Sequence, residues 1–354
     1  MDRTRSIIGA DLERIARGPI PWDRLEGATV LVTGATGLVG AYLVEALVAR
    51  RAPAHRRTRV VVLARSPSRA SARFAHLDAA LVRVVEHRLD APLELDGRAD
   101  YVVHAGAPAQ PTAFAADPVG TYVPNVVGTH HLLEWAAGRG VERFAFVSSG
   151  AANGAVPLER GPYDEDVYGP LDPLDPYACY AESKRMGEAA CMAWHRQTGL
   201  DIVVARLGHT YGPGLARSDT RSFAEFVYCA VDGRDIVLRT AGEARRPFCY
   251  LSDAVTGLLT VLVAGASGRA YFVVNDAAAC SILELAQLVA RLSPAPGISV
   301  RTLDTPAGDA KGVHPAGDLE LAMPVAARLR ALGWDPHVGL AEGFARTVDA
   351  HLGA

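Results

Sequence analysis

Apolar and polar positions in the first two thirds of the chain follow two alternating patterns. Short apolar runs of strand length begin at Thr29 and recur at 59–64, 81–86, 100–105, 143–148 and 201–207. Longer stretches with helical spacing lie between them, at 41–49, 119–137 and 177–197. Runs that are apolar throughout are typical of parallel strands covered on both faces by helices. The pattern therefore predicts an α/β fold with a doubly wound (Rossmann) parallel sheet.

The pattern changes after Leu207. Glycine and proline interrupt residues 208–214, a helix is predicted near 223–231, and further helical patterns follow Ser281. Because no long linker separates these parts, we expect a smaller α/β domain interleaved with the last elements of the sheet. The expected limits are 1–26 for an N-terminal extension with a short helix at 11–17, 27–206 plus 247–277 for the domain of the parallel sheet, and 207–246 plus 278–354 for a smaller substrate-binding domain.

Three glycines, at positions 34, 37 and 40, stand between the first strand and the first long helix. Glycine accepts positive φ and lacks a Cβ, so backbone N–H groups can approach a phosphate closely. The N-terminus of the following helix adds unpaired donors and a positive dipole end. We expect this turn to bind the pyrophosphate of a dinucleotide, and a glycine-rich turn without a ligand is the alternative. The expected contacts are Gly34, Thr36, Gly37, Leu38 and Gly40.

Composition narrows the classes of partner. The chain has 354 residues and a net charge of −3 without a basic block, so neither nucleic acid nor an anionic membrane is an expected partner. No apolar run reaches the roughly 18 residues of a membrane span, and the first residues form no apolar signal segment, so we expect a cytoplasmic protein. The five cysteines are widely spaced and form no C-x-x-C pair, so no metal site is predicted.

A tyrosine and a lysine four residues apart form the second candidate for chemistry. Tyr180 and Lys184 share one face of the predicted helix at 177–197. A neighbouring ammonium is expected to lower the pKa of the phenol, which can then take a proton from an alcohol while hydride leaves the carbon. Ser149 follows the strand at 143–148 and faces the same crevice, because ligands bind at the carboxyl ends of parallel strands. A solvated Tyr–Lys pair and a serine that only caps a turn are the alternatives.

Further motifs accompany these. They are His104-Ala105-Gly106-Ala107, Asn125-Val126-Val127-Gly128-Thr129, Arg206 to Pro213, and Arg246 to Asp253. Together with the glycine turn, Ser149 and the Tyr180–Lys184 pair, they resemble the extended short-chain dehydrogenase/reductase family of NAD(P)-dependent nucleotide-sugar epimerases, dehydratases and decarboxylases. The stretch Pro108-Ala109-Gln110-Pro111, with Asp117-Pro118 beyond it, looks most like UDP-glucuronate decarboxylases.

The resemblance implies a role for each matching residue. Tyr180 matches the catalytic base, Lys184 its electrostatic support and a ribose contact, and Ser149 the partner of the reacting oxygen. Further cofactor contacts implied are Arg65, Asp90, Ala105, Gly106 and Asn125, beside Tyr180 and Lys184. The substrate contacts implied are Pro108, Ser149, His209, Arg221 and Arg246, of which Arg246 matches an arginine that holds a diphosphate; a surface arginine is the alternative. A homodimer formed by the helices at 119–137 and 177–197 is also implied.

Departures from the family pattern bear on the reaction. Dehydratases and decarboxylases carry an acid where Gly150 or Ala151 stands here, and the usual asparagine after the sixth strand is His209. A site without that acid is compatible with hydride chemistry alone, so we expect a nucleotide-sugar 4-epimerase. A decarboxylase, dehydratase or 4-ketoreductase stays open, as does a non-catalytic cofactor-binding regulator. Three acids precede the helix of Tyr180 without a predicted place in the site, namely Glu159, Asp164 and Glu165.

The choice of cofactor rests on the end of the second strand. NAD-specific members of the family place an aspartate there, whereas this chain has Leu63-Ala64-Arg65-Ser66-Pro67-Ser68-Arg69. Arg65, Ser66 and Arg69 suit a 2′-phosphate, and they also suit a loop over the adenine of NAD. We expect tightly bound NAD or NADP and favour NADP slightly.

Overall fold

The computed structural model describes residues 3–50, 53–175, 177–303 and 320–352. Residues 304–319 and 353–354, which belong to the predicted substrate domain, and residues 1–2 of the predicted extension lie outside the described residues. The strands are β1 (Thr29–Thr33), β2 (Arg59–Ala64), β3 (Val82–Glu86), β4 (Tyr101–His104), β5 (Arg143–Ser149), β6 (Ile202–Leu207), β7 (His209–Tyr211), β8 (Ile236–Leu238), β9 (Arg245–Tyr250), β10 (Arg269–Val273), β11 (Ala279–Ser281) and β12 (Val300–Thr302). The helices are α1 (Arg3–Arg17), α2 (Leu38–Ala49), α3 (Pro67–Arg73), α4 (Pro111–Ala116), α5 (Pro118–Arg139), α6 (Cys179–Thr198), α7 (Ser222–Asp232), α8 (Leu251–Ala264), α9 (Ile282–Arg291), α10 (Ala327–Arg330) and α11 (Leu340–His351).

The larger sheet has the strand order β3-β2-β1-β4-β5-β6-β10, and its neighbouring strands run parallel. Its central strands are apolar and buried, because helices cover both faces. The chain moves outward from β1 to β3 and then returns to β4 on the other side of β1, which makes a topological switch point between β1 and β4. The doubly wound α/β fold predicted from the sequence is confirmed.

A smaller sheet stands beside the carboxyl ends of the larger one. It has the order β11-β9-β7, and β8 pairs separately with β12. Its core includes Phe248 of β9 and the stacked rings of Tyr211 and Phe344, whose centroids lie 3.9 Å apart. Because β10 of the larger sheet comes from the chain between β9 and β11, the two sheets are interleaved in sequence. The predicted limit between 246 and 247 falls within β9, and the domain limits stay a prediction.

The N-terminal helix is longer than the sequence indicated. The prediction was a helix at 11–17, whereas α1 spans Arg3–Arg17. Its Asp11 is fully buried and accepts hydrogen bonds from the hydroxyls of Tyr42 (3.0 Å) and Tyr250 (2.8 Å) and from the guanidinium of Arg346. These partners belong to α2, β9 and α11, so α1 joins elements of both sheets.

The five cysteines are not paired with one another. All five cysteines are free thiols, and four of them are buried. Among the residues that the structure describes, no helix combines the length and the apolar character needed to cross a bilayer.

Candidate active site

The glycine turn has the close backbone packing that its sequence predicts. Gly34 has φ +68°, and a Cβ there would lie 2.2 Å from the carbonyl oxygen of Ala105. A Cβ at Gly40 would lie 2.3 Å from the carbonyl oxygen of Gly34. Helix α2 begins directly after Gly37, which provides no side-chain cap, so its first N–H groups stay available to a ligand. This turn fits the pyrophosphate of a dinucleotide.

A cavity of about 2170 Å³ runs from this turn across the carboxyl ends of the larger sheet to the smaller sheet. A pocket for one drug-sized ligand measures about 300–1,000 Å³, so this cavity has room for two ligands. Of the residues singled out from the sequence, those lining it are Gly34, Thr36, Gly37, Leu38, Gly40, Arg65, Asp90, Ala105, Gly106, Pro108, Ser149, Tyr180, Lys184, His209, Arg221 and Arg246. Asn125 does not line it.

Asn125, one of the expected cofactor contacts, lies between two helices next to the cavity wall, and its role stays a prediction. It is fully buried, and its Nδ2 donates to the carbonyl of Thr121 (3.1 Å) and to the Ser183 hydroxyl (3.0 Å). The amide nitrogen therefore joins α5 to α6, whereas Oδ1 has no hydrogen-bond partner among the described residues.

Ser149 and Tyr180 meet at the end of β5. The Ser149 hydroxyl accepts a hydrogen bond from the backbone N–H of Ala151 (3.2 Å) and lies near enough to the Tyr180 phenol to act on its pKa. The ring of Phe114, on α4, stacks on the Tyr180 ring with centroids 4.4 Å apart. Burial raises the pKa of Tyr180, while the Ser149 hydrogen bond and the charge of Arg221 act in the lowering direction. The expected net lowering of this pKa is therefore not seen.

Lys184 is held against the strand that ends at Ser149. Its Nζ donates to the backbone carbonyl of Val147 (2.7 Å) and lies 4.9 Å from the centroid of the Phe146 ring. Burial lowers the pKa of Lys184 to about 7, opposed by the nearby Glu188 and Cys191. Lys184 does not contribute to the shift of the Tyr180 pKa, because its ammonium points to β5. The expected support of Tyr180 by Lys184 thus does not appear in this geometry.

A buried ion pair behind these residues was not found by sequence reasoning. Arg206, on β6, binds Glu188 of α6 through two hydrogen bonds, from Nε (2.9 Å) and Nη2 (2.6 Å). The Ser148 hydroxyl donates to the same carboxylate (2.5 Å). The pair therefore fixes β5 next to Ser149 and α6 next to Lys184. The available signal was the spacing of Lys184 and Glu188, four residues apart on one helix face.

The smaller sheet and the residue that precedes α7 contribute three polar side chains to the cavity. Arg221 donates from Nε and Nη2 to the carboxylate of Asp219, with contacts of 2.5–3.1 Å. Arg246, on β9, is partly buried, and its Nη1 donates to the backbone carbonyl of Arg245 (2.7 Å). Burial lowers the pKa of His209 to about 3, with further lowering by Arg246 and Arg221. His209 is therefore neutral and is able to donate one hydrogen bond beside two cations.

Exposed basic side chains border the end of the cavity that lies beyond the carboxyl end of β2. Arg65 and Arg69 line it, whereas the Ser66 hydroxyl accepts the backbone N–H of Arg69 (3.5 Å) as the N-cap of α3. Asp90 is paired with Arg88 through two hydrogen bonds of 3.1 and 2.6 Å. Asp90 thus reaches the expected adenine end with its carboxylate already engaged by an arginine.

The acids of the loop before α6 do not enter the cavity. Glu159 and Asp164 are exposed on the surface outside the cavity. Glu165 is buried, and its carboxylate accepts a hydrogen bond from the backbone N–H of Phe272 (2.7 Å). Burial raises the pKa of Glu165. Within the described residues, the acids that line the cavity are Glu45, Asp90, Asp117, Asp219 and Glu225. None of them lies on the loop that begins at Ser149.

A sequence profile of the NAD-dependent epimerase/dehydratase family matches residues 30–275. The chain belongs to this family. UDP-glucuronic acid decarboxylases 6 and 3 of Arabidopsis thaliana are each 30% identical over 319 residues, which cover 89% of this chain and 86% of each relative. The matching family model, relatives and solved structures are those of nucleotide-sugar epimerases, dehydratases and decarboxylases. The resemblance seen in the sequence is therefore confirmed.

Solved structures agree with this assignment. The dTDP-glucose 4,6-dehydratase DesIV of Streptomyces venezuelae, solved with NAD bound, is 28% identical with a TM-score of 0.75, covering 91% of this chain and 96% of that one. The UDP-glucose 4-epimerase of Thermotoga maritima, solved with UDP-glucose, has the same TM-score at 21% identity, covering 91% of this chain and 98% of that one. At that identity the second likeness concerns the fold.

Proposed function

We propose that this protein is a nucleotide-sugar 4-epimerase that oxidises a sugar hydroxyl transiently and returns the hydride to the opposite face. The observation that carries the proposal is the Ser149–Tyr180 pair at the crevice, followed by Gly150 and Ala151 without a carboxylate. Elimination of water needs a group that moves a proton at carbon, whereas epimerisation by hydride transfer does not. A nicotinamide cofactor bound at the glycine turn would supply the hydride acceptor.

The residues of the chain have separate roles in this proposal. Tyr180 accepts the proton of the sugar hydroxyl, and Ser149 orients the same oxygen by its hydrogen bond. Lys184 stabilises the end of β5 and contributes a nearby positive charge when protonated. Arg246, Arg221 and neutral His209 bind the diphosphate, for which the forked guanidinium is well suited.

Decarboxylation of a nucleotide-linked uronic acid is the second candidate. The curated relatives reported above favour it, as does the stretch Pro108–Pro111 in the wall of the cavity. Oxidation at carbon 4 of a uronic acid gives a β-keto acid, which loses CO₂ without a dedicated base. The absence of an acid at Ala151 is therefore compatible with this reaction as well.

Product analysis separates the candidates. The protein is incubated with UDP-glucose or UDP-glucuronate and NAD or NADP in deuterated water, followed by NMR and mass spectrometry. A 4-epimer without deuterium on carbon supports the proposal; a UDP-pentose with CO₂ overturns it in favour of decarboxylation. Deuterium at carbon 5 together with loss of water indicates a dehydratase. Stoichiometric consumption of the reduced cofactor indicates a reductase. Tyr180→Phe should remove activity, whereas Tyr122→Phe, on an exposed side chain of α5 outside the cavity, should retain it. No turnover of any sugar nucleotide by the wild-type protein would favour a regulator over an enzyme.

For the cofactor, we propose tightly bound NADP or NAD. Two arginines, Arg65 and Arg69, border the cavity beyond the carboxyl end of β2, and no acid stands at the end of that strand. Such side chains bind a 2′-phosphate well. Mass spectrometry of small molecules released from denatured protein identifies the cofactor, and loss of NADP selectivity in Arg65→Ala would support the arginine contact.

We also propose a homodimer. Helices α5 and α6 pack side by side and leave large apolar side chains exposed, namely Val119, Tyr122 and Met186. Exposed apolar side chains grouped on two packed helices are typical of an interface. Light scattering at micromolar concentration should give twice the mass of the chain, and a monomer would contradict the proposal.

A further inference from the structure

Arg221 is held along one edge of its guanidinium by a buried carboxylate. Its Nε lies 3.0 Å from Oδ1 and 3.1 Å from Oδ2 of Asp219, and its Nη2 donates to the same Oδ2 (2.5 Å). The Asp219 side chain is only 3% exposed, whereas that of Arg221 is 23% exposed. Both residues line the large cavity. This side-on pair fixes the plane of the guanidinium, because a rigid fork of donors meets both carboxylate oxygens.

The start of α7 and an aromatic ring restrict Arg221 further. Its carbonyl accepts the N–H groups of Ala224 (2.9 Å) and Glu225 (3.1 Å), and its own N–H donates to Oδ1 of Asp219 (3.1 Å). Its Cζ lies 4.6 Å from the centroid of the ring of Phe223, which is buried. A helix start, a carboxylate and a ring face therefore leave this side chain little rotamer freedom.

Ring contacts place Arg221 in the same part of the cavity as His209 and Arg246. The His209 ring packs edge-on against Phe223, over which Arg221 lies, with ring centroids 6.5 Å apart. It also packs on Phe248, with centroids 5.6 Å apart. Arg246 precedes Phe248 by two residues on β9, so both side chains stand on one face of that strand. The three polar side chains thus surround the same pair of phenylalanine rings.

The other end of the Arg221 guanidinium is available to a ligand. Asp219 occupies the edge formed by Nε and Nη2, and among the described residues Nη1 donates to no group. The carboxylate also offsets the positive charge of Arg221. What the pair offers an anion is therefore a fixed donor more than a net charge, and a donor that is already ordered loses little entropy on binding.

We propose that Asp219 is a positioning residue, which holds the guanidinium of Arg221 so that its Nη1 end binds the diphosphate of a nucleotide sugar. The inference rests on the proposed function, because it needs a nucleotide sugar in the cavity. It applies equally to the epimerase and to the decarboxylase, because both would bind the same diphosphate.

Calorimetric titration with UDP compares the wild type, Asp219→Asn, Arg221→Ala and the double variant. Arg221→Ala should weaken UDP binding about ten- to hundredfold, since a charge-assisted hydrogen bond is lost. Asp219→Asn should weaken it about two- to tenfold, because the guanidinium keeps its charge but has to be ordered on binding. UDP-glucose should lose the same factors, because it carries the same diphosphate.

The sign of the effect and a double-mutant cycle separate positioning from other roles. Removal of a carboxylate near a bound anion should tighten binding by charge alone, so unchanged or tighter UDP binding in Asp219→Asn would overturn the proposal. In the Arg221→Ala background, Asp219→Asn should weaken UDP binding no further, because no guanidinium is left to position. Additive losses would overturn the proposal, since Asp219 would then act on the fold of the loop.

Two further variants complete the test. Arg221→Lys keeps the charge but has one nitrogen, which Asp219 would engage, so it should weaken UDP binding nearly as much as Arg221→Ala. Wild-type affinity in Arg221→Lys would overturn the proposal even if Asp219→Asn does not fold. Asp232→Asn is the matched control, because Asp232 binds Arg217 through two hydrogen bonds (3.1 and 3.0 Å) outside the cavity, and it should bind UDP within twofold of the wild type.

The outcomes separate this inference from the proposed function. If the wild-type protein binds neither UDP nor UDP-glucose, the proposed function fails and the inference falls with it. If the wild type binds both and Asp219→Asn binds them equally well, the inference alone fails.

Discussion

The proposed site for the diphosphate can be tested by comparing two adjacent arginines. Both arginines line the cavity, but Arg246 is partly buried, whereas Arg245 is exposed and paired with Glu284 at 3.0 Å. A charge-assisted hydrogen bond contributes about 1.5–3 kcal/mol, which corresponds to about ten- to hundredfold in affinity. Arg246→Ala should therefore weaken UDP-glucose binding by that factor. Arg245→Ala should change it less than about threefold, because exposed ion pairs contribute little.

The same substitution has an independent readout in His209. The positive charge of Arg246 contributes to the lowered pKa of this imidazole, although burial is the larger cause. In Arg246→Ala the pKa of His209 should rise but stay below its ordinary value. NMR titration of the imidazole measures this shift, and Arg245→Ala provides the baseline.

Calorimetry with UDP-glucose and with the cofactor completes the assay. Cofactor affinity and melting temperature should be nearly unchanged in Arg246→Ala, because the glycine turn lies at the other end of the cavity. Equal losses of UDP-glucose affinity in the two arginine variants would refute the placement of the diphosphate. Loss of the cofactor in Arg246→Ala would refute it as well.

Three other substitutions address the cofactor turn, the buried lysine and the N-terminal helix. Gly34→Ala should abolish dinucleotide binding, because residue 34 has positive φ and its Cβ would lie 2.2 Å from a carbonyl oxygen. Gly37→Ala should bind the dinucleotide more nearly normally, because its Cβ would lie 3.2 Å from the nearest atom. Equal calorimetric affinities of the two variants would contradict this. Lys184 has a pKa lowered to about 7, so between pH 7 and 10 the unfolded chain holds a proton that the folded protein has lost, and the free energy of unfolding rises with pH relative to Lys184→Met. Parallel pH profiles in urea titrations would refute that sign. Asp11→Ala should lower the free energy of unfolding by about 3–5 kcal/mol, because it leaves the partly buried guanidinium of Arg346 and the hydroxyls of Tyr42 and Tyr250 without their acceptor. A loss below about 1 kcal/mol in urea titrations would contradict it.

Six of the seven strands of the larger sheet could be predicted because each is a local apolar run, whereas β10 was not predicted. The extent of α1 could not be predicted, because half of residues 3–10 are polar and the helix depends on contacts of Asp11. The partners of Asp11 are Tyr250 and Arg346, which lie 239 and 335 residues away in the chain. The pattern of apolar and polar residues within the helix gives no information on contacts with such distant parts of the chain.

The candidate site was predictable to a similar degree. Motif spacing brought Ser149 and Tyr180 together, since one ends a strand and the other begins a helix beside it. The hydrogen bond of Lys184 to β5 and the direction of the Tyr180 pKa depend on burial, which a motif does not encode.

The interleaving of the two sheets has a consequence for how the protein can be divided. Strand β10, at the edge of the larger sheet, is made after β7 and β9 of the smaller one, and β11 returns to the smaller sheet. A fragment that ends at residue 206 would lack β10 and α8, which is buried almost throughout its length. Neither half can therefore be expressed as a continuous piece or exchanged with a relative by a single junction. Heating should melt both sheets in one cooperative transition, since neither retains a complete core without the other.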